Sequence, residues 1–158
     1  MESKTARNHF FKLEEIYISP FTHIRRFDDN GQPYYVPLER KLNPTGIYAA
    51  DYLLQCFSRG DDTLKLIAAR LGCSGRDLSG LIRCLTGLPS DDFRRAYRKR
   101  LVDDLLRYTT LNLSEVARLS GIGTKRNLHL FTNRLYNCTP DELRQRIRKA
   151  GDAGRFGI

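Results

Sequence analysis

The sequence predicts a mainly α-helical fold with a short N-terminal extension that carries a β-hairpin. Three observations predict it. From residue 46 onward, apolar residues recur at three- and four-residue spacing, with helix-start signals between the runs. The stretch "LKLIAARLGCSGRDL" at 64–78 returns forty-nine residues later as "LSEVARLSGIGTKRNL" at 113–128. Before "KLNPTG" at 41–46 the chain is aromatic and irregular, and Asp29-Asn30-Gly31 breaks two aromatic or β-branched runs.

The elements follow in order. Residues 1–45 form the extension, with strands expected over 21–27 and 34–38 and a turn at Asp29-Asn30-Gly31. Pro33 and Pro37 lack an N–H to give a ladder, so the second strand belongs at an edge. The first helix covers Ile47 to Ser58, with Tyr48, Tyr52, Leu53 and Phe57 at helical spacing. Thr63 is placed to cap the second helix, which runs to Leu71 and stops at Gly72. Ser74 with Asp77 starts the third, whose apolar face is Leu78, Leu81, Ile82 and Leu85. Ser90, with Asp91 and Asp92 in the first turn, opens a long fourth helix to about Tyr108. Asn112 with Glu115 opens the fifth, and Thr124 the sixth, to about Tyr136. "TPDEL" at 139–143 opens the seventh with a threonine cap, a proline and two acids. Residues 150–158, "GDAGRFGI" from 151, read as a flexible tail.

The charge is +9 over 158 residues. Residues 1–45 hold 7 basic and 6 acidic groups; residues 46–158 hold 20 and 12, so the excess lies with the repeat. A field of that sign favours polyanions. No apolar run nears the roughly 18 residues that span a bilayer, and the first residues are polar and charged without a signal-peptide core. Both point to a soluble, cytoplasmic protein. The four cysteines, Cys56, Cys73, Cys84 and Cys138, contain no C-x-x-C pair and read as buried free thiols. His9, His23 and His129 have no second ligand or carboxylate at metal spacing. With no paired carboxylates, phosphate loop or nucleophile beside a base, neither an enzyme nor a cofactor is expected.

In the repeat, Leu64 matches Leu113, Ile67 matches Val116, Ala68 matches Ala117 and Gly72 matches Gly121. The second copy has one more residue before its next anchor, so that Leu128 answers Leu78. A small residue mid-helix, a glycine turn and an apolar lock on the next helix are the physics of a helix-turn-helix unit. The fourth helix, about 18 residues and about 27 Å long, separates two such units.

Residues 46–149 resemble the AraC/XylS-type DNA-binding domain. The matching text is "LKLIAARLGCSGRDLSGLIRCLTGLPSDDFRRAYRKRLVDDLLR", then "LNLSEVARLSGIG" and "LYNCTPDELR". The resemblance implies seven helices and two helix-turn-helix units, in a transcription regulator reading two adjacent major grooves of double-stranded DNA with helices near 74–86 and 124–136. Carried over by position, it implies base contacts from Arg76, Ser79 and Arg83 in the first reader, and from Lys125, Arg126, Asn127, His129 and Asn133 in the second. Arg98, in "FRRAYRKR" of the linking helix, is implied as a phosphate contact, although a solvated basic face explains that run equally well. The same two readings hold for "RQRIRK" at 144–149, where cations also suit a helix C-terminus.

The chain departs from the family at mid-reader. Where an arginine is usual it has Gly80 and Leu130, and the reader core phenylalanine gives way to Ile82 and, with Phe131 beside it, Thr132. These departures motivate a second reading, a protein-interaction adaptor on the same scaffold. The aromatic groups of residues 1–45 are expected to pack on the helices, with a homodimer or protein-partner contact as the alternative.

Overall fold

The computed structural model describes residues 10–40 and 42–158, so His9 lies outside the described residues. In chain order the elements are α1 (Leu13–Ile16), β1 (His23–Phe27), β2 (Pro33–Pro37), α2 (Tyr48–Ser58), α3 (Leu64–Leu71), α4 (Gly75–Thr86), α5 (Ser90–Tyr108), α6 (Leu113–Leu119), α7 (Lys125–Tyr136), α8 (Pro140–Ile147) and β3 (Phe156–Gly157). The seven helices expected after residue 46 are α2 to α8. The four-residue helix α1 is an addition to that reading.

The caps explain the helix starts. Ser74 with Asp77, Asn112 with Glu115 and Thr139 with Glu142 each form a reciprocal capping box, and the Thr124 side chain accepts the Asn127 N–H. Thr63 stands at the cap of α3 without a side-chain bond. At α5 the cap is Pro89 rather than Ser90, which is the first helical residue; the Ser90 hydroxyl instead accepts from Ser79 at 3.2 Å.

Two apolar cores form, and α5 runs through both. Leu53, Phe57, Ile67, Ala68, Leu78 and Ile82 gather around Phe93, Tyr97 and Leu101 at the front of α5. Leu113, Val116, Ala117, Leu128 and Leu143 gather around Val102, Leu105 and Leu106 at its back. Each helix-turn-helix unit therefore owns one core, and a single helix of 19 residues joins them.

The extension reaches into both cores rather than standing apart. Ile16 is buried in the first and Phe21 in the second. Between them, the Tyr97 hydroxyl accepts the Ile18 N–H and donates to the Ile18 carbonyl, each at 3.1 Å. The hairpin pairs His23 with Pro37 through to Phe27 with Pro33, and β2 is an edge strand, as its prolines require.

The C-terminal segment corrects an expectation. Residues 150–158 are folded: Phe156 and Gly157 pair with Ile24 and His23 as the third strand of the sheet. Phe156 stacks on Phe21 at 4.7 Å and meets Tyr108 edge-on at 5.3 Å. Asp152, buried, takes the Arg107 guanidinium at 2.8 Å and the Lys149 N–H at 2.9 Å. Apolar burial and a buried ion pair hold a segment whose glycines read as flexible.

The cysteines divide. Cys56 and Cys138 are buried, whereas Cys73, in the turn after Gly72, and Cys84, on the outer face of α4, are exposed; all four are free. Tyr48 is also exposed, stacked on Tyr52. Among the described residues no helix is long and apolar enough to cross a membrane.

Candidate nucleic-acid interface

The two helix-turn-helix units repeat in three dimensions. From 76–84 in α4 and 126–134 in α7, each pair of residues fifty apart has the same degree of burial. Leu78 and Leu128 face in, as do Ile82 and Thr132. Gly80 and Leu130 face out. Both reader helices end on a left-handed residue at the matching position, Gly87 with φ 73° and Asn137 with φ 53°.

The expected base-contacting residues fall into two groups. Arg76, Arg83, Lys125, Arg126, Asn127 and Asn133 are exposed on α4 and α7. Ser79 and His129, themselves equivalent, are half-buried, and the Ser79 hydroxyl donates inward to Ser90. The Ser74 hydroxyl is also engaged: it accepts the Asp77 N–H and donates to the Asp77 carboxylate at 2.8 Å. The Ser74 backbone N–H, at 2.9 Å, and then its hydroxyl hold the Asp77 carboxyl below the usual carboxylate range.

The linking helix differs from its sequence reading. Arg98 is turned onto Asp62, in the loop before α3, with its Nη2 2.8 Å from one carboxylate oxygen and its Nε on the other. Every other cation of α5 faces an acid as well. Arg94 meets Asp91 at 3.0 Å, Arg95 meets Asp92 at 3.4 Å, Lys99 meets Asp103 at 3.5 Å, Arg100 meets Asp104 at 3.4 Å and Arg107 meets Asp152. "FRRAYRKR" is therefore a self-neutralised face, not an open basic stripe. In α8 and just beyond, Arg144 donates to the Leu111 carbonyl and Arg148 to those of Leu106 and Thr109. Arg148 thus closes the C-terminal end of α5 and Arg144 holds the loop after it, so both cations serve a neighbouring segment as well as the end of their own helix.

The reader helices show the opposite pattern. Arg76 and Arg83 on α4, and Lys125, Arg126 and Arg134 on α7, have no ion-pair partner among the described residues. The first turn of α7 carries no acid, so its positive helix end, Lys125 and Arg126 add together; the first turn of α4 carries Asp77. Four of the α5 pairs stand at i,i+3 or i,i+4, a spacing open to sequence reading, but Arg98 and Asp62 lie 36 residues apart and Arg107 and Asp152 lie 45 apart, and no sequence signal joined those.

The family model for a helix-turn-helix domain matches residues 67–146, just over half of the chain. The chain belongs to the AraC-type helix-turn-helix family. Solved structures share the fold of this AraC-type domain. The C-terminal domain of AraT, a response regulator from Geobacillus stearothermophilus, is 24% identical, with 65% of this chain and 85% of that chain covered and a TM-score of 0.55. The C-terminal domain of the two-component response regulator yesN from Fusobacterium nucleatum is 22% identical, with 61% and 93% covered and a TM-score of 0.51. The xylose-binding transcription activator xylR is 18% identical over 70% of this chain, which spans 29% of that one, with a TM-score of 0.51. No curated protein matches the chain in sequence.

Proposed function

We propose that this AraC-type chain is a transcription regulator that binds double-stranded DNA sequence-specifically, with α4 and α7 in two successive major grooves. The observation that carries the reading is the distribution of charge. Cations on the linking helix are neutralised by carboxylates, while those on the two reader helices are left for an external anion. Phosphates satisfy such groups and fix register; base edges supply the sequence preference. Arg76, Arg83 and Arg126 are suited to guanine O6 and N7, and Asn127 and Asn133 to adenine N6 and N7. Two response regulators and a transcription activator among the structural neighbours agree with this reading. Ser79 and Arg98 are not assigned base or phosphate contacts, because each is bonded within the protein.

The test is selection from a random duplex library at about 150 mM salt, where counterion competition already weakens non-specific binding. The expected outcome is a motif in two parts about one helical turn apart. A one-part motif would leave α7 as the single reader. Weak, salt-sensitive binding with no enrichment would overturn sequence-specific recognition and favour the protein adaptor.

A further inference from the structure

Gly80 and Leu130 occupy one equivalent position on two equivalent helices, and neither side chain can make a hydrogen bond. Both face solvent, and Leu130 is 57% exposed. Nothing in the fold calls for either. A Cβ built on Gly80 meets no atom within 4 Å, and Gly80 does not have the positive φ that would require glycine. Glycine there weakens the helix without relieving any internal contact. An exposed leucine gains nothing from the core.

The surroundings say what meets them. On a helix surface the neighbours of Leu130 are the residues three and four away. These are Arg126, Asn127, Asn133 and Arg134, all exposed and polar. The leucine is thus a single apolar point inside a ring of cations and amides. A protein partner would call for a contiguous apolar patch. The major groove offers the matching pattern: an isolated apolar group, the C5-methyl of thymine, among acceptors and flanking phosphates.

Resting on the DNA-binding reading above, we propose that this shared position reads the groove by apolar contact. Leu130 packs on a thymine methyl in the half of the site read by α7. Gly80, lacking a side chain, brings the α4 backbone close to the groove floor, so that Arg76 and Arg83 on either side reach base edges.

Uracil for thymine is the direct test, since it removes the methyl and leaves the hydrogen-bonding edge intact. Each thymine of the selected duplex is replaced in turn. One replacement in the α7 half is expected to weaken binding about fourfold, the worth of one buried methyl group. Leu130→Ala should bind the thymine duplex correspondingly less well and no longer distinguish uracil. Leu130 is exposed, so this variant keeps the fold, which circular dichroism checks. Gly80→Ala should raise the melting temperature while weakening DNA binding. An enriched motif with no uracil-sensitive thymine, or sensitivity that survives in Leu130→Ala, overturns the methyl contact alone. Undiminished DNA binding by Gly80→Ala overturns the close approach. Failure to enrich any motif removes the DNA reading and this one together.

Discussion

Arg98 holds Asp62 with both arms of its guanidinium, and the Asp62 carboxylate presses against Gly121. The Asp62 side chain is 7% exposed, and a Cβ on Gly121 would lie 3.0 Å from Oδ2 and 2.9 Å from the Gly60 carbonyl oxygen. The loop before the first helix-turn-helix unit is therefore seated in the turn of the second, and an arginine of the shared helix clamps it there.

Removing Arg98 should leave a buried carboxylate unpaired. Arg98→Met is expected to cost about 3 kcal/mol, the low end for breaking a buried pair because the arginine is partly solvated. Urea unfolding reads this directly. A loss below about 1 kcal/mol would mean that the pair does not lock the loop.

The two repeat glycines should not be equally replaceable. Gly72 and Gly121 both have positive φ, 71° and 80°, which costs an alanine about 1–2 kcal/mol. Only Gly121 is also crowded, by backbone and by Asp62; Gly72 has open space. Gly72→Ala should lose only the conformational cost, and Gly121→Ala clearly more. Equal losses in thermal melts would contradict the tight seating of the 60–62 loop.

Binding measurements should separate the reader helices from the linking helix. Arg126→Ala and Arg76→Ala are each expected to cost about 1–3 kcal/mol and to relax preference at particular base pairs. The larger effect belongs to Arg126, since no acid shares its turn. Lys125→Ala should lower the salt slope by about one. Arg94→Gln or Arg95→Gln should hardly change it, because these cations already face Asp91 and Asp92. A large drop from either would restore the linking helix as a phosphate contact.

Two buried carboxylates should respond oppositely to pH. Asp152 is held below the usual carboxylate range by the Arg107 guanidinium and then by the Lys149 N–H. Its contribution is present above the ordinary pKa of about 4 and is lost as pH falls through the lower folded value. Asp104 is pushed up by burial, against the opposing help of Arg100 and the Tyr17 hydroxyl. Its charge costs stability as pH rises from about 4 through the raised value. Melts from pH 3 to 7 should show Asp152→Asn less stable than wild type at pH 7 with a flatter acid limb. Asp104→Asn should be at least as stable as wild type at pH 7. A matching loss in Asp104→Asn would contradict this assignment.

Local chemistry was legible in the sequence. Ser74 with Asp77 and Asn112 with Glu115 announced two helix starts because a cap and its partner lie three residues apart, and "TPDEL" announced a third by its threonine, proline and two acids. Asp29-Asn30-Gly31 announced the hairpin, and Pro33 and Pro37 placed its second strand at the edge. What failed depended on contacts distant in sequence. The glycines of 151–157 read as flexible because their partner strand, His23–Phe27, lies more than a hundred residues upstream. Arg98 read as a surface cation because Asp62 belongs to a loop with no periodic pattern. Ser79 came as a base contact from the family resemblance alone, and its bond to the Ser90 hydroxyl depends on how α5 approaches α4, which no local spacing states.

The repeat is faithful in shape and unfaithful in content. Gly80 stands where Leu130 stands, Arg83 where Asn133 stands, and an acid guards one reader's entrance but not the other's. A symmetric dimer reads a palindrome and so has no heading on DNA, since its site looks the same from either end. A single chain with two unlike readers at the ends of one rod has a front and a back. On the proposed reading, any duplex it grips is gripped with an arrow, and the same bases written in reverse order are a different address.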